Sequence, residues 1–248
     1  MKKLILSLTL AGAAALAAKA STVSSANTFG VLKVASTTSQ TVICVPWVAV
    51  GATDADIAVS DLVMTSNLTE GDTIYFYDRD SQKYKAWVLQ NDKTWAAPKM
   101  VEKIGEAING DTPQTTTATR GDALILVRQH PEAGDIYLYG QYSSEPVASQ
   151  TLTSGAWNLV APPNKFSGVS DLNVDFTWEH VNDADTIRLQ NNGFAITLVR
   201  HENKWAYKSG TNYYEEAAQL QPGNGFWYVS TGSDDPVVTF SGNISGNN

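Results

Sequence analysis

The sequence predicts an all-β protein: two tandem, duplicated β-sandwich domains, Ig-like or related, with short accessory helices. Three observations carry that prediction. Short runs of β-branched and aromatic residues recur at intervals too tight for βαβ units. Polar turn clusters, such as Asn91-Asp92-Lys93 and Glu202-Asn203-Lys204, separate arms that read as hairpins. Segments late in the chain repeat earlier segments in the same order. Small β-barrels are the alternative, because glycine-led strands can close a sheet.

In chain order, strands are expected at Val31 to Val34, Thr41 to Val45 and Thr73 to Tyr77, then from Tyr84 to Leu89. Leu124 to Arg128, Ile136 to Tyr139 and Trp157 to Val160 continue the pattern, followed by Phe226 to Val229 and Val237 to Phe240. Two stretches read as helical. Pro98 to Asn109 places Met100, Ile104, Ala107 and Ile108 near one face, with Gly110 able to end it. Asn212 to Leu220 reads as a shorter, turn-rich helix.

The repeat is clearest where Tyr84 to Ala96 aligns with Phe194 to Ala206 at an offset of 110, so that Trp95 meets Trp205. Ser60-Asp61-Leu62 meets Ser170-Asp171-Leu172 at the same offset. Asp72-Thr73-Ile74 meets Asp185-Thr186-Ile187 at 113, and Gly121 to Val127 meets Gly223 to Val229 at 102, which also brings Gly140 onto Gly242. Asp61 and Asp171 then read as paired turn caps. A boundary follows near 145–155, giving a first β domain at 21–150 and a second at 151–248.

The repeat also assigns faces. Side chains alternate along a strand, so Tyr84, Ala86 and Val88 share a face that matches Phe194, Ile196 and Leu198. That apolar face is expected to point inward. Trp87 falls on the other face without an aromatic twin, so it is expected at the surface. Trp95 and Trp205 are expected to plug two equivalent cores.

Lys2 and Lys3 precede an apolar run from Leu4 to Ala18, followed by Ala18-Lys19-Ala20. This is the layout of a secretory signal peptide cleaved before Ser21. The run is shorter than the ~20 residues of a membrane span, and no later segment is longer, so no transmembrane span is expected in the mature chain. The full chain already carries a formal charge of -8, and the leader holds three lysines and no acid, so the mature chain is more acidic still. An acidic, exported product does not suit nucleic acid, which requires a positive footprint. The single cysteine, Cys44, precludes an intrachain disulfide, and its apolar surroundings suit a buried thiol.

No catalytic signature stands out. The histidines at 130, 180 and 201 make no His-Glu-x-x-His pair, and Gly-x-Ser-x-Gly and the Walker loop are absent. No enzyme, cofactor or catalytic residue is therefore predicted. Asp78 and Asp80, at an expected hairpin tip, have the oxygen ligands for a weak calcium site, although a solvated acidic turn is the simpler account. Among the 24 aromatic residues, Trp87, Tyr213 and Tyr214 are the candidates for surface contact with a ligand or partner.

Trp157-Asn158-Leu159-Val160-Ala161-Pro162 and Leu220-Gln221-Pro222-Gly223-Asn224-Gly225-Phe226-Trp227-Tyr228-Val229 together resemble a loosely defined group of exported β-repeat proteins from Verrucomicrobia-like or Bacteroidetes-like bacteria. The resemblance covers most of 151–245 and, more weakly, 40–145. In the first copy Thr41 to Pro46 replaces the Trp-Asn-Leu strand, and Gly121-Asp122-Ala123 replaces the Gly-x-Gly-Phe turn. Members mostly lack an assigned activity. The resemblance implies a role in the periplasm, outer envelope or extracellular space, with association to pili or a secretion apparatus left open. The expected function is a non-catalytic structural or adhesive one through contact with an envelope or surface protein. Carbohydrate binding through exposed aromatics is the alternative, and an extracellular hydrolase the third.

Overall fold

The computed structural model describes residues 29–34, 40–51, 56–78, 81, 83–96, 99–106, 117–141, 149–161, 168–191 and 194–241. The leader at 1–20, Asp80, residues 107–109 and Gly242 lie outside them.

The first half comprises β1 (Phe29–Val34), β2 (Gln40–Cys44), β3 (Ile57–Ala58), the one-turn helix α1 (Val59–Leu62), β4 (Thr73–Asp78), β5 (Lys83–Val88), β6 (Lys99–Val101), β7 (Thr117–Ala118), β8 (Ala123–Val127) and β9 (Ile136–Gln141). The second comprises β10 (Gln150–Thr151), β11 (Trp157–Val160), β12 (Ser170–Asp171), β13 (Phe176–Glu179), β14 (Thr186–Asn191), β15 (Phe194–His201), β16 (Lys204–Ser209), β17 (Asn212–Tyr214), β18 (Gln219–Leu220), β19 (Phe226–Val229) and β20 (Val237–Phe240). Among the described residues no helix is long and apolar enough to cross a membrane.

Two large antiparallel sheets dominate. Their strand orders are β2-β8-β4-β5-β6 and β11-β19-β14-β15-β16-β17. Read by place within each half, the first five strands follow one order, and β17 is added at the end of the second. Smaller sheets lie alongside: β1-β9 and β3-β7 in the first half, β10-β20-β13 and β12-β18 in the second. The fold is thus all-β and of sandwich type. Its sheets are open, so the barrel alternative is set aside.

Each half has its own core. In the first, Leu32 and Val34 of β1 and Ile136 and Leu138 of β9 pack against Ile43, Ile74, Trp87, Leu124 and Leu126 of the large sheet, with Trp95 filling the end. In the second, Phe176 and Val238 pack against Val160, Ile187, Leu198, Phe226 and Tyr228, with Trp205 fully enclosed. Trp47 lies across the cross-strand pair Gly30 and Gly140. A Cβ on Gly140 would stand 2.3 Å from the Cβ of Trp47, so the absence of a side chain is what admits the indole there.

Registers correct the face assignment. Ile74 sits opposite Trp87 and Leu126, whereas Ile187 sits opposite Leu198 and Tyr228. Trp87 is therefore the counterpart of Leu198, an offset of 111, while Trp95 keeps its counterpart at 110. The turns absorb the missing residue. The first uses three residues, Asn91 to Lys93, with Lys93 at φ 68° and the Gln90 N–H donating to the Thr94 carbonyl. The second uses two, Glu202 and Asn203, both at positive φ, as a two-residue hairpin turn requires. A one-residue slip exchanges the faces of a strand, so Trp87 points into the core and Tyr84 and Ala86 point away from it.

Three further expectations are corrected. Within the 98–109 stretch, Lys99–Val101 forms an edge strand on β5 and 102–106 is a turn, because the unpaired edge of β5 supplies hydrogen-bond partners that outweigh a weak helical period. Asn212 to Leu220 is strand, a single 3-10 turn at Glu215–Ala217, then strand. Ser60-Asp61-Leu62 lies in α1, whereas Ser170-Asp171 is β12, whose counterpart is β3. Only Asp171 caps a turn, accepting from the Asn173 N–H at 2.8 Å. The buried carboxylates that do recur are Asp72 and Asp185. Asp72 accepts from the N–H groups of Thr69 and Gln129, and Asp185 from those of Asn182 and Thr231.

Candidate functional site

The side of each large sheet that faces away from its own core carries the features of interest. In the first half it presents Val42, Tyr75, Tyr77, Tyr84, Ala86 and Ile125; in the second, Trp157, Leu159, Arg188 and Trp227. Leu159 and Trp227 pack onto the first set, forming a third apolar cluster that joins the halves. Tyr77 and Trp227 meet edge to face at 5.5 Å. Trp227 then meets Trp157 at 6.1 Å, and the Arg188 guanidinium lies 4.5 Å from the Trp157 ring centroid.

The Gly223-Asn224-Gly225 turn completes this seam. The Cys44 N–H donates to the Gly223 carbonyl at 2.7 Å, and the Gly225 N–H donates to the Val42 carbonyl at 3.1 Å. A Cβ on Gly225 would stand 2.6 Å from the Val160 carbonyl oxygen and 2.9 Å from a Val42 methyl, so glycine lets the two backbones close. The Cys44 thiol, fully buried, donates to the Ala161 carbonyl at 3.1 Å. Burial pushes its pKa up, which leaves it a protonated structural thiol rather than a nucleophile.

Two cavities open along the seam. One of about 470 Å³ is lined by Tyr77, Arg120, Asp122 and Gln150 among others. The second, of about 210 Å³, is lined by Val42, Arg188, Asn224 and Trp227. Beyond the seam, the outer face of the second sheet is open among the described residues. Trp157 is 43% exposed there, more than any other described aromatic ring.

The predicted site residues are not gathered in one place. Trp87 is 5% exposed and packs edge to face on Phe76 at 4.7 Å, which corrects its expected surface position. Tyr213 is half-buried, stacked on His201 at 3.6 Å with Lys208 over its ring. Tyr214 is exposed beside Tyr207 on the neighbouring strand. Asp78 pairs across the hairpin with Lys83 and accepts from the Ser81 N–H. Its expected calcium partner, Asp80, lies outside the described residues. Among those described, no group of three or more His, Cys, Asp or Glu side chains converges.

Sequence reasoning passed over Tyr77, Trp157, Arg188 and Trp227 as site residues. The signal was present: Trp157 and Trp227 stood in the two motifs that carry the family resemblance. What was missing was the parity that places both on the same outer face. No protein-family model, no curated protein and no solved structure matches the chain.

Proposed function

We propose that this chain is a non-catalytic structural or adhesive protein of the bacterial envelope or cell surface, built from two related β domains at 21–150 and 151–248 and acting through protein–protein contact. Its matched strand orders support descent from one duplicated unit. The leader-like first twenty residues support export. The observation that carries the contact reading is the exposed Trp157 with Arg188 lying over its ring on an otherwise open sheet face. Trp, Tyr and Arg are the side chains that dominate the energetics of protein interfaces.

The test is fractionation followed by cross-linking of the full chain in cells. A covalent adduct in the envelope fraction, with cross-linked peptides around Trp157 and Arg188, is expected. Trp157→Ala should abolish that adduct while the protein still folds. Recovery of the wild type solely as a free monomer in the culture medium would overturn the reading.

A further inference from the structure

The larger seam cavity has a chemistry that contact between proteins does not require. Its walls join residues from both halves: Phe76 and Tyr77 of β4 and Arg120 and Asp122 beside Gly121 in the first, Thr151 of β10 and Leu159 of β11 in the second. Rings and hydrogen-bonding groups both line it.

Gln150 is the informative member. Its Nε2 donates to the Gly121 carbonyl at 2.6 Å. That carbonyl can only accept, so the amide orientation is set. Gln150 Oε1 is consequently held as an acceptor, and it is buried without a hydrogen-bond partner among the described residues. An acceptor left in this state is destabilising until a donor reaches it. Ser149 Oγ, which accepts from the Thr239 hydroxyl at 2.7 Å, stands beside it on the same wall.

We infer that this cavity binds the ring of a neutral saccharide, with a sugar hydroxyl donating to Gln150 Oε1 and the apolar face of the ring resting on Tyr77. The volume, about 470 Å³, lies in the range of small-ligand sites and exceeds what one sugar ring needs. Arg120 and Asp122 line the site together. Their opposite charges make it a poor trap for a bare anion. The inference does not depend on the protein-contact reading, because Trp157 and Arg188 do not line this cavity.

Saturation-transfer NMR and titration of tryptophan fluorescence, using the full-length protein with free hexoses and N-acetylhexosamines, test the assignment. Trp227 touches Tyr77 and reports occupancy. Saturable binding of at least one sugar is expected. Gln150→Met should weaken it about ten-fold, the equivalent of one hydrogen bond of ~1.4 kcal/mol. Tyr77→Leu should weaken it further, with circular dichroism unchanged. Should Gln150→Met fail to fold, Ser149→Ala and Tyr77→Leu carry the same comparison. Absence of binding across the panel, binding undiminished by these substitutions, or saturable binding of inorganic phosphate instead of sugars would each overturn the inference. None of these results alters the Trp157 cross-link, so the two readings fail separately.

Discussion

Trp87 and Leu198 occupy the same station in the two halves of this protein, each facing an isoleucine across its hairpin, Ile74 in one case and Ile187 in the other. The equivalence places an indole where the second half is content with a leucine. It follows that Trp87→Ala should behave as a core truncation, costing about 3–5 kcal/mol in a urea titration. A loss under ~0.5 kcal/mol, as for a surface site, would contradict the placement.

Gly140 is required by Trp47. Gly140→Ala would drive a methyl to 2.3 Å from the Trp47 Cβ and 2.8 Å from its Cγ, so a loss of about 1–3 kcal/mol is expected. The first contact is with an atom that survives truncation to alanine, and the second is with one that does not. Trp47→Ala should therefore recover only part of the loss in a double-mutant cycle. Strict additivity would separate the two residues.

Asp72 and Asp185 perform one task twice, each tying the loop before its strand to the loop after β8 or β19. Asp72→Asn and Asp185→Asn should each cost about 1.5–3 kcal/mol, the range for hydrogen bonds to a charged group. Asp185 also accepts from the Tyr228 hydroxyl, so its substitution should be the costlier. Thermal unfolding of the two variants decides the order.

Stability should fall in alkali. Burial raises the pKa of Cys44, and burial followed by the Asp185 hydrogen bond raises that of Tyr228. The unfolded thiol ionises near about 8.5 and the unfolded phenol near about 10. The folded groups keep their protons, so the native state binds more protons than the unfolded one and loses stability as pH rises. Above pH ~8.5 the Cys44 contribution is about 1.4 kcal/mol per pH unit, and Tyr228 adds a like slope above ~10. Cys44→Ala should remove the lower limb and Tyr228→Phe the upper, as read from denaturant midpoints across pH.

Cys44 also reports the seam. Its buried thiol should resist alkylation in the native protein. Trp227→Ala removes the ring that meets Tyr77 and should speed labelling about ten-fold, corresponding to ~1.4 kcal/mol less protection against opening. Equal rates in the two proteins would show that the seam does not depend on this contact.

Alternation and turn chemistry in the residues themselves determined the all-β class, most strands and the pairing of Trp95 with Trp205. Those signals are local: β-branched runs, polar turns and a repeat that survives short loop changes. The repeat turned the wrong face of β5 inward, because one extra residue in the turn at Asn91 to Lys93 reverses the parity, and an ungapped alignment absorbs it silently. Only backbone pairing resolved that register. The edge strand Lys99–Val101 went unread for a related reason, since its partners lie on β5 and not among its neighbours in the chain. The seam lay furthest from view. Tyr77, Trp227 and Gln150 are distant in sequence, and a cavity between two sheets exists only once both are packed.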